Sequence, residues 1–150
     1  MKKDDIVGGV LLLIAILGIG TFFFFAKPAP ELSYGPIEVA GSSIAATAVG
    51  DAEVDIIAAV QRSGFVSIHE SVGGAPGPII GYSGLISVGS NVSVTILTSQ
   101  LMTPGLPYVA LLHVDNGDGT FIIKDDMPVT SNGVSVRADF NAPAVKETVK

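Results

Sequence analysis

The residues with the most chemical capacity in this chain are two histidines and four aspartates. His69 and His113 are its only imidazoles. Both fall in stretches that read as strands. In a sandwich of ordinary strand order the third and sixth strands, which carry them, are neighbours in one sheet. Two imidazoles across a strand pair suit a metal, with Glu70 and Asp115 close in sequence. Two ligands fall short of the three or four that stable sites use. A blue-copper centre also needs a cysteine thiolate, and the chain has no cysteine. The expectation is that each histidine sits at a strand end and satisfies nearby backbone or loop groups.

The aspartates Asp115, Asp118, Asp125 and Asp126 lie in one glycine-rich loop. Hard oxygen donors so grouped suit calcium. The spacing is not that of an EF-hand: the third and fifth slots from Asp115 are Gly117 and Gly119, and the twelfth is Asp126 instead of Glu. Asn116-Gly117 and Asp118-Gly119 also favour turns with positive φ. Calcium held by the four carboxylates is one expectation for the loop, and plain turn chemistry is the other. No other cofactor is expected. Enzyme motifs fail. Gly81-Tyr82-Ser83-Gly84 lacks the second glycine of a nucleophile elbow by position. Gly73, Gly74 and Gly77 lack the Lys-Ser/Thr of a phosphate loop. No catalytic residue is assigned, and the chain is not expected to be an enzyme. Asn91-Val92-Ser93 is a glycosylation sequon, which requires an exterior location to be used.

Seven stretches have the composition and period of strands: residues 37–39, 54–60, 65–69, 78–82, 92–97, 108–114 and 134–140. Val92, Val94 and Ile96 alternate with Ser93, Thr95 and Leu97, as for a strand with one face in a core. Residues 108–114 are apolar on both faces, which suits a central strand. Breaks fall at Gly73-Gly74-Ala75-Pro76-Gly77, Val88-Gly89-Ser90, Thr103-Pro104-Gly105 and Asn116-Gly117-Asp118-Gly119. With no helical period after residue 26, the expected fold is all-β, a seven-stranded immunoglobulin-like or cupredoxin-like sandwich. The Cys–Trp–Cys pin of antibody domains is absent, since the chain has neither residue.

That sandwich lies behind one N-terminal transmembrane helix. Residues 6–26 are free of charge and show no polar stripe. At 1.5 Å per residue they span the roughly 30 Å of a bilayer core. A cleaved signal peptide would end in a small-x-small site, whereas this run ends Phe24-Phe25-Ala26-Lys27-Pro28. Lys2 and Lys3 before the run, against Lys27 after it, set the N-terminus inside. The expected organisation is a cytoplasmic N-terminus (1–5), a transmembrane helix (6–26), a Pro-rich stalk (27–35), an extracellular β-sandwich (36–140) and a C-terminal tail (141–150). The net charge of −6 argues against nucleic acid as a partner, because phosphate contact demands a basic face.

Several pieces occur in a familiar order: Gly64-Phe65-Val66-Ser67-Ile68-His69-Glu70, Pro78-Ile79-Ile80-Gly81-Tyr82-Ser83 and Asn91-Val92-Ser93-Val94-Thr95-Ile96. Leu112-His113-Val114-Asp115-Asn116-Gly117-Asp118-Gly119-Thr120-Phe121 completes them. Over residues 36–140 the chain resembles an uncharacterised β-sandwich domain found, often in tandem, in archaeal cell-surface and S-layer-type glycoproteins. The resemblance implies fold and location, not chemistry. It makes the leading expectation a non-enzymatic, single-pass surface protein with a structural or interaction role in the envelope. Its partners would be the bilayer, through residues 6–26, and other envelope proteins. The alternative is an accessory subunit of a larger membrane complex, and a metal-dependent binding or electron-transfer module is a third reading.

Overall fold

The computed structural model describes residues 35–144. The expected N-terminus, transmembrane run, nearly all of the stalk and residues 145–150 lie outside the described residues. Among the described residues every regular element is a strand, and no helix is long and apolar enough to cross a membrane. The strands are β1 (Ile37–Glu38), β2 (Ser43–Val49), β3 (Glu53–Val60), β4 (Gly64–Val72), β5 (Ala75–Tyr82), β6 (Gly89–Leu97), β7 (Pro107–Val114), β8 (Val129–Ser131), β9 (Val134–Ser135) and β10 (Arg137–Asn141). They form three open sheets, ordered β2-β3-β6, β10-β7-β4-β5 and β1-β8-β9. Every pairing is antiparallel except β1 with β8.

Alternation drives the first two sheets together. On β3, Val54, Ile56, Ala58 and Val60 are buried, while Glu53 and Ile57 between and before them are exposed. On the facing sheet, Val66 and Ile68 of β4 and Ala110, Leu112 and Val114 of β7 fill the same cluster, with Ile96 of β6. Side chains of one strand parity thus meet across the two layers. Each large aliphatic side chain so buried contributes roughly 1.5–3 kcal/mol before the entropy of ordering is subtracted.

The seven expected strands all have counterparts, but the fold has ten strands. β2 was not anticipated because Ser43-Ile44-Ala45-Ala46-Thr47-Ala48-Val49 is poor in strong strand formers and its register is interrupted by a bulge between Ala46 and Ala48. β8 is three residues long, too short to display a period. Its signal was Asn132-Gly133, whose φ of 54° and 75° make the tight hairpin turn to β9. The expected single strand 134–140 is two strands in different sheets. Val136 is the crossing point: its amide donates to Val129 O at 2.9 Å, and its carbonyl accepts from Leu112 N at 3.0 Å. At the far end, Asn141 closes β10. Ala142, in the expected tail, is buried and exchanges backbone hydrogen bonds with Gly105 and Leu106, each of 3.0 Å.

Candidate functional site

Phe65, Ser67 and His69 occupy the parity of β4 that points away from the core between the sheets, since Val66 and Ile68 point into it. In a two-layer fold that outer face is normally wet. Here Phe65, Ser67, His69 and His113 are only 2%, 0%, 5% and 1% exposed. Two segments cover them, one of them remote in the chain from β4. Residues 115–127, which follow β7, fold back so that the Phe121 ring lies 5.5 Å from Phe65, 5.0 Å from Tyr82 and 5.2 Å from His113, edge-on to the imidazole. From the other side comes the tip of the β4–β5 hairpin. His69 Nδ1 donates to Gly77 O at 2.7 Å. Arg137, on the opposite edge strand β10, donates through Nη2 to Gly74 O at 3.0 Å.

Beneath this cover, Ser67 Oγ stands 2.7 Å from His69 Nε2 and 2.9 Å from His113 Nε2. The β4–β7 register, which sets Phe65 opposite His113 and His69 opposite Val109, places Ser67 between the two imidazoles. Their rings lie 6.4 Å apart and nearly parallel, at 19°. His113 Nδ1 donates to the Asp126 carbonyl at 3.0 Å. A carbonyl can only accept, so both Nδ1 atoms carry a proton and both neutral rings present a bare Nε2 to the hydroxyl. Burial pushes His69 below the usual imidazole range, opposed by its bond to Gly77. His113 is also lowered, chiefly by burial; its bond to the Asp126 backbone opposes this, His69 adds to it, and the Asp126 carboxylate opposes it.

Both histidines satisfy backbone carbonyls, as expected, and their strands are neighbours. His69 does not sit at a strand end, however, because β4 runs on to Val72, with Glu70 paired to Tyr108 and Val72 to Ala75. Sequence reasoning missed Ser67. Its signal was a serine and a histidine two apart on one parity of an otherwise apolar strand. Gly64 is required by the same strand pair: a Cβ there would lie 1.9 Å from His113 O. Ser83, of the rejected elbow, is buried and its Oγ accepts from Val66 N at 2.9 Å.

Three of the four loop aspartates bond through their carboxylates to the backbone of their own loop. Asp126 is 0% exposed, and its two oxygens accept from Asn116 N at 3.0 Å and Ile122 N at 2.6 Å. Asp115 accepts from Gly119 N at 3.0 Å, and Asp118 from Thr120 N at 2.7 Å and Asn116 Nδ2 at 3.2 Å. Gly117 and Gly119 take φ of 107° and 72°. Asp125 is exposed, and its amide bonds to Ile122 O at 2.8 Å. These are the bonds of turn chemistry. Among the described residues no group of three or more His, Cys, Asp or Glu side chains is placed to hold a metal ion. The exposed Asn91 has a φ of 59° and lies where the β3–β6 register shifts, a conformation asparagine tolerates.

The covered face is thus built from residues that also carry the resemblance: Gly64, Phe65, His69, His113, Asp115 and Phe121. A curated relative, Cell surface glycoprotein 1 of Haloarcula hispanica, is 33% identical over 92 residues, which make up 60% of this chain and 10% of that protein. The match therefore involves about a tenth of the relative's length. No solved structure matches the chain significantly. The family of a domain of unknown function, DUF7282, matches residues 39–142, from the buried Val39 just after β1 to the buried Ala142 just after β10. The chain belongs to the DUF7282 family, an archaeal domain of cell-surface type.

Proposed function

We propose that this protein is a non-enzymatic, single-pass membrane protein that holds one immunoglobulin-like sandwich outside the cell and has a structural or interaction role in the envelope. The observation that carries this reading is the family match, together with a relative that is a cell surface glycoprotein. The orders β2-β3-β6 and β10-β7-β4-β5 favour the immunoglobulin-like reading, since consecutive strands β3 and β4 lie in different sheets, as do β6 and β7. The charge-free run 6–26 supports the anchor. Exposed apolar side chains such as Tyr82, Leu97 and Leu101 offer contact area to neighbours in the envelope. Asn91, exposed on β6, is available for a glycan.

Protease added to whole cells should remove the region after Pro30, and protection of that region would reverse the orientation. Purification in mild detergent then separates a free-standing envelope protein from a complex subunit. A stoichiometric polytopic partner would favour the latter.

A further inference from the structure

The hydrogen bonds around Ser67 do not balance in the neutral state. Each Nδ1–H is committed to a carbonyl, Gly77 O for His69 and Asp126 O for His113. Two bare Nε2 atoms, at 2.7 and 2.9 Å, therefore face one hydroxyl with one proton. Oγ can donate to one of them, and at the other two lone pairs confront each other in a site closed to water. A metal ion does not fit as the missing partner, because the serine oxygen occupies the space between the nitrogens. One proton does fit: it makes one Nε2 a donor to Oγ, and Oγ then donates to the second ring.

We propose that Ser67, His69 and His113 form a binding site for a single shared proton, in the chain Nε2–H···Oγ–H···Nε2, which couples external pH to the cover formed by residues 115–127 and the β4–β5 hairpin. No bond other than N–H is made: the proton comes from solvent and its charge stays on the pair of rings. A second proton would place two cations 6.4 Å apart in a buried site, where like charges repel strongly. Uptake therefore stops at one until the pH is much lower. The charged groups around the site are few. The covering loop contributes the buried Asp126 carboxylate, which favours the added charge. On β10, Arg137 and Asp139 pair with each other. Strand β5 supplies the Gly77 carbonyl; on the loop Asp115 is half-buried and accepts from Gly119 N, while Asp118, Lys124 and Asp125 are exposed.

The test is a long-range proton–nitrogen spectrum of the full chain in detergent micelles, labelled at histidine, from pH 8 to pH 4. With only two histidines the four ring nitrogens are resolved directly. At pH 8 both rings should show protonated Nδ1 and bare Nε2. On acidification both Nε2 signals should move at one midpoint, each through about half its full excursion. In Ser67→Ala that common midpoint should split. In His69→Gln, which leaves one ring and one hydroxyl in balance, His113 should titrate at lower pH than the wild-type pair. Independent midpoints in the wild type would overturn the proposal. So would an Nε2–H ring at pH 8, unfolding before either ring titrates, or an unchanged His113 midpoint in His69→Gln. A stoichiometric shift of both Nε2 signals on adding zinc would show a metal site instead.

Discussion

Strand β4 separates two interiors of different character. On one side Val66 and Ile68 join an apolar cluster between the sheets; on the other Phe65, Ser67 and His69 are equally buried beneath a loop and a hairpin tip. The first interior is held by non-directional burial, in which any side chain of similar volume contributes. The second is held by a short chain of directed bonds among Ser67, His69, His113, Gly77 and Asp126, with the Phe121 ring as its lid. The contrast teaches that burial in this domain has two origins. Sheet packing makes the first, and it depends on volume. Loop return makes the second, and it depends on hydrogen-bond satisfaction and so on pH.

The largest effect should come from the apolar side. Ile56→Ala removes a fully buried side chain from the inter-sheet cluster and should cost about 2–5 kcal/mol. Urea denaturation would check it, and the loss should be the same at pH 7.5 and pH 5.5. A strongly pH-dependent loss would blur the distinction between the two interiors. Phe121→Ala comes next. The ring is half-buried and makes three aromatic contacts, so about 1–3 kcal/mol should be lost. Hydrogen exchange should quicken at Asn116 and Ile122, whose amides bond to Asp126, while Ile56 and Leu112 stay protected. Uniform loss of protection would mean that the cover and the core open as one unit.

A smaller effect follows from pH alone. The folded pair takes up one shared proton where the two rings of the unfolded chain take up two, and burial opposes charge on both rings, so the unfolded chain binds more protons as pH falls below about 6.5. Stability is full above that value and declines as pH falls toward the lowered folded values. The urea midpoint should therefore be lower at pH 5.5 than at pH 7.5. A second decline belongs to Glu38, lowered from 4.5 by the Gly133 and Asn132 amides and by Thr130. Its contribution is present above 4.5 and lost below it. Glu38→Gln should flatten only this second decline, and if it flattens the first, the two windows are not independent.

The smallest effect expected is that of calcium. The carboxylates of Asp115, Asp118 and Asp126 already accept loop hydrogen bonds. Millimolar calcium and sodium chloride of equal ionic strength should shift the melting temperature alike, as screening does. A larger shift with calcium that Asp118→Ala abolishes would make the loop a cation site.

Much of this was legible in the amino-acid sequence. Period-2 alternation on β6, and the two-faced apolar run of β7, are local signals, because side-chain direction reverses at each residue of a strand whatever its neighbours do. These signals placed the central strands, and the ordinary strand order of a sandwich made the two histidines neighbours. Asn116-Gly117 and Asp118-Gly119 likewise announced a turn through backbone chemistry contained in each pair. Alternation could not say that β4 has two buried faces. Covering the second face depends on the return of residues 115–127 and on a hairpin tip reaching toward β10, and both are contacts between segments far apart in the chain. Nor could it find the role of Ser67, since a serine on an exposed parity is ordinary until two imidazoles from different strands close on its hydroxyl. The crossing at Val136 was hidden for the same reason: Val134-Ser135-Val136-Arg137 is one extended run by propensity, and only the competing demands of Val129 and Leu112 divide it between two sheets. Local backbone preference determined which residues are strands, and long-range pairing decided what each strand's outer face became.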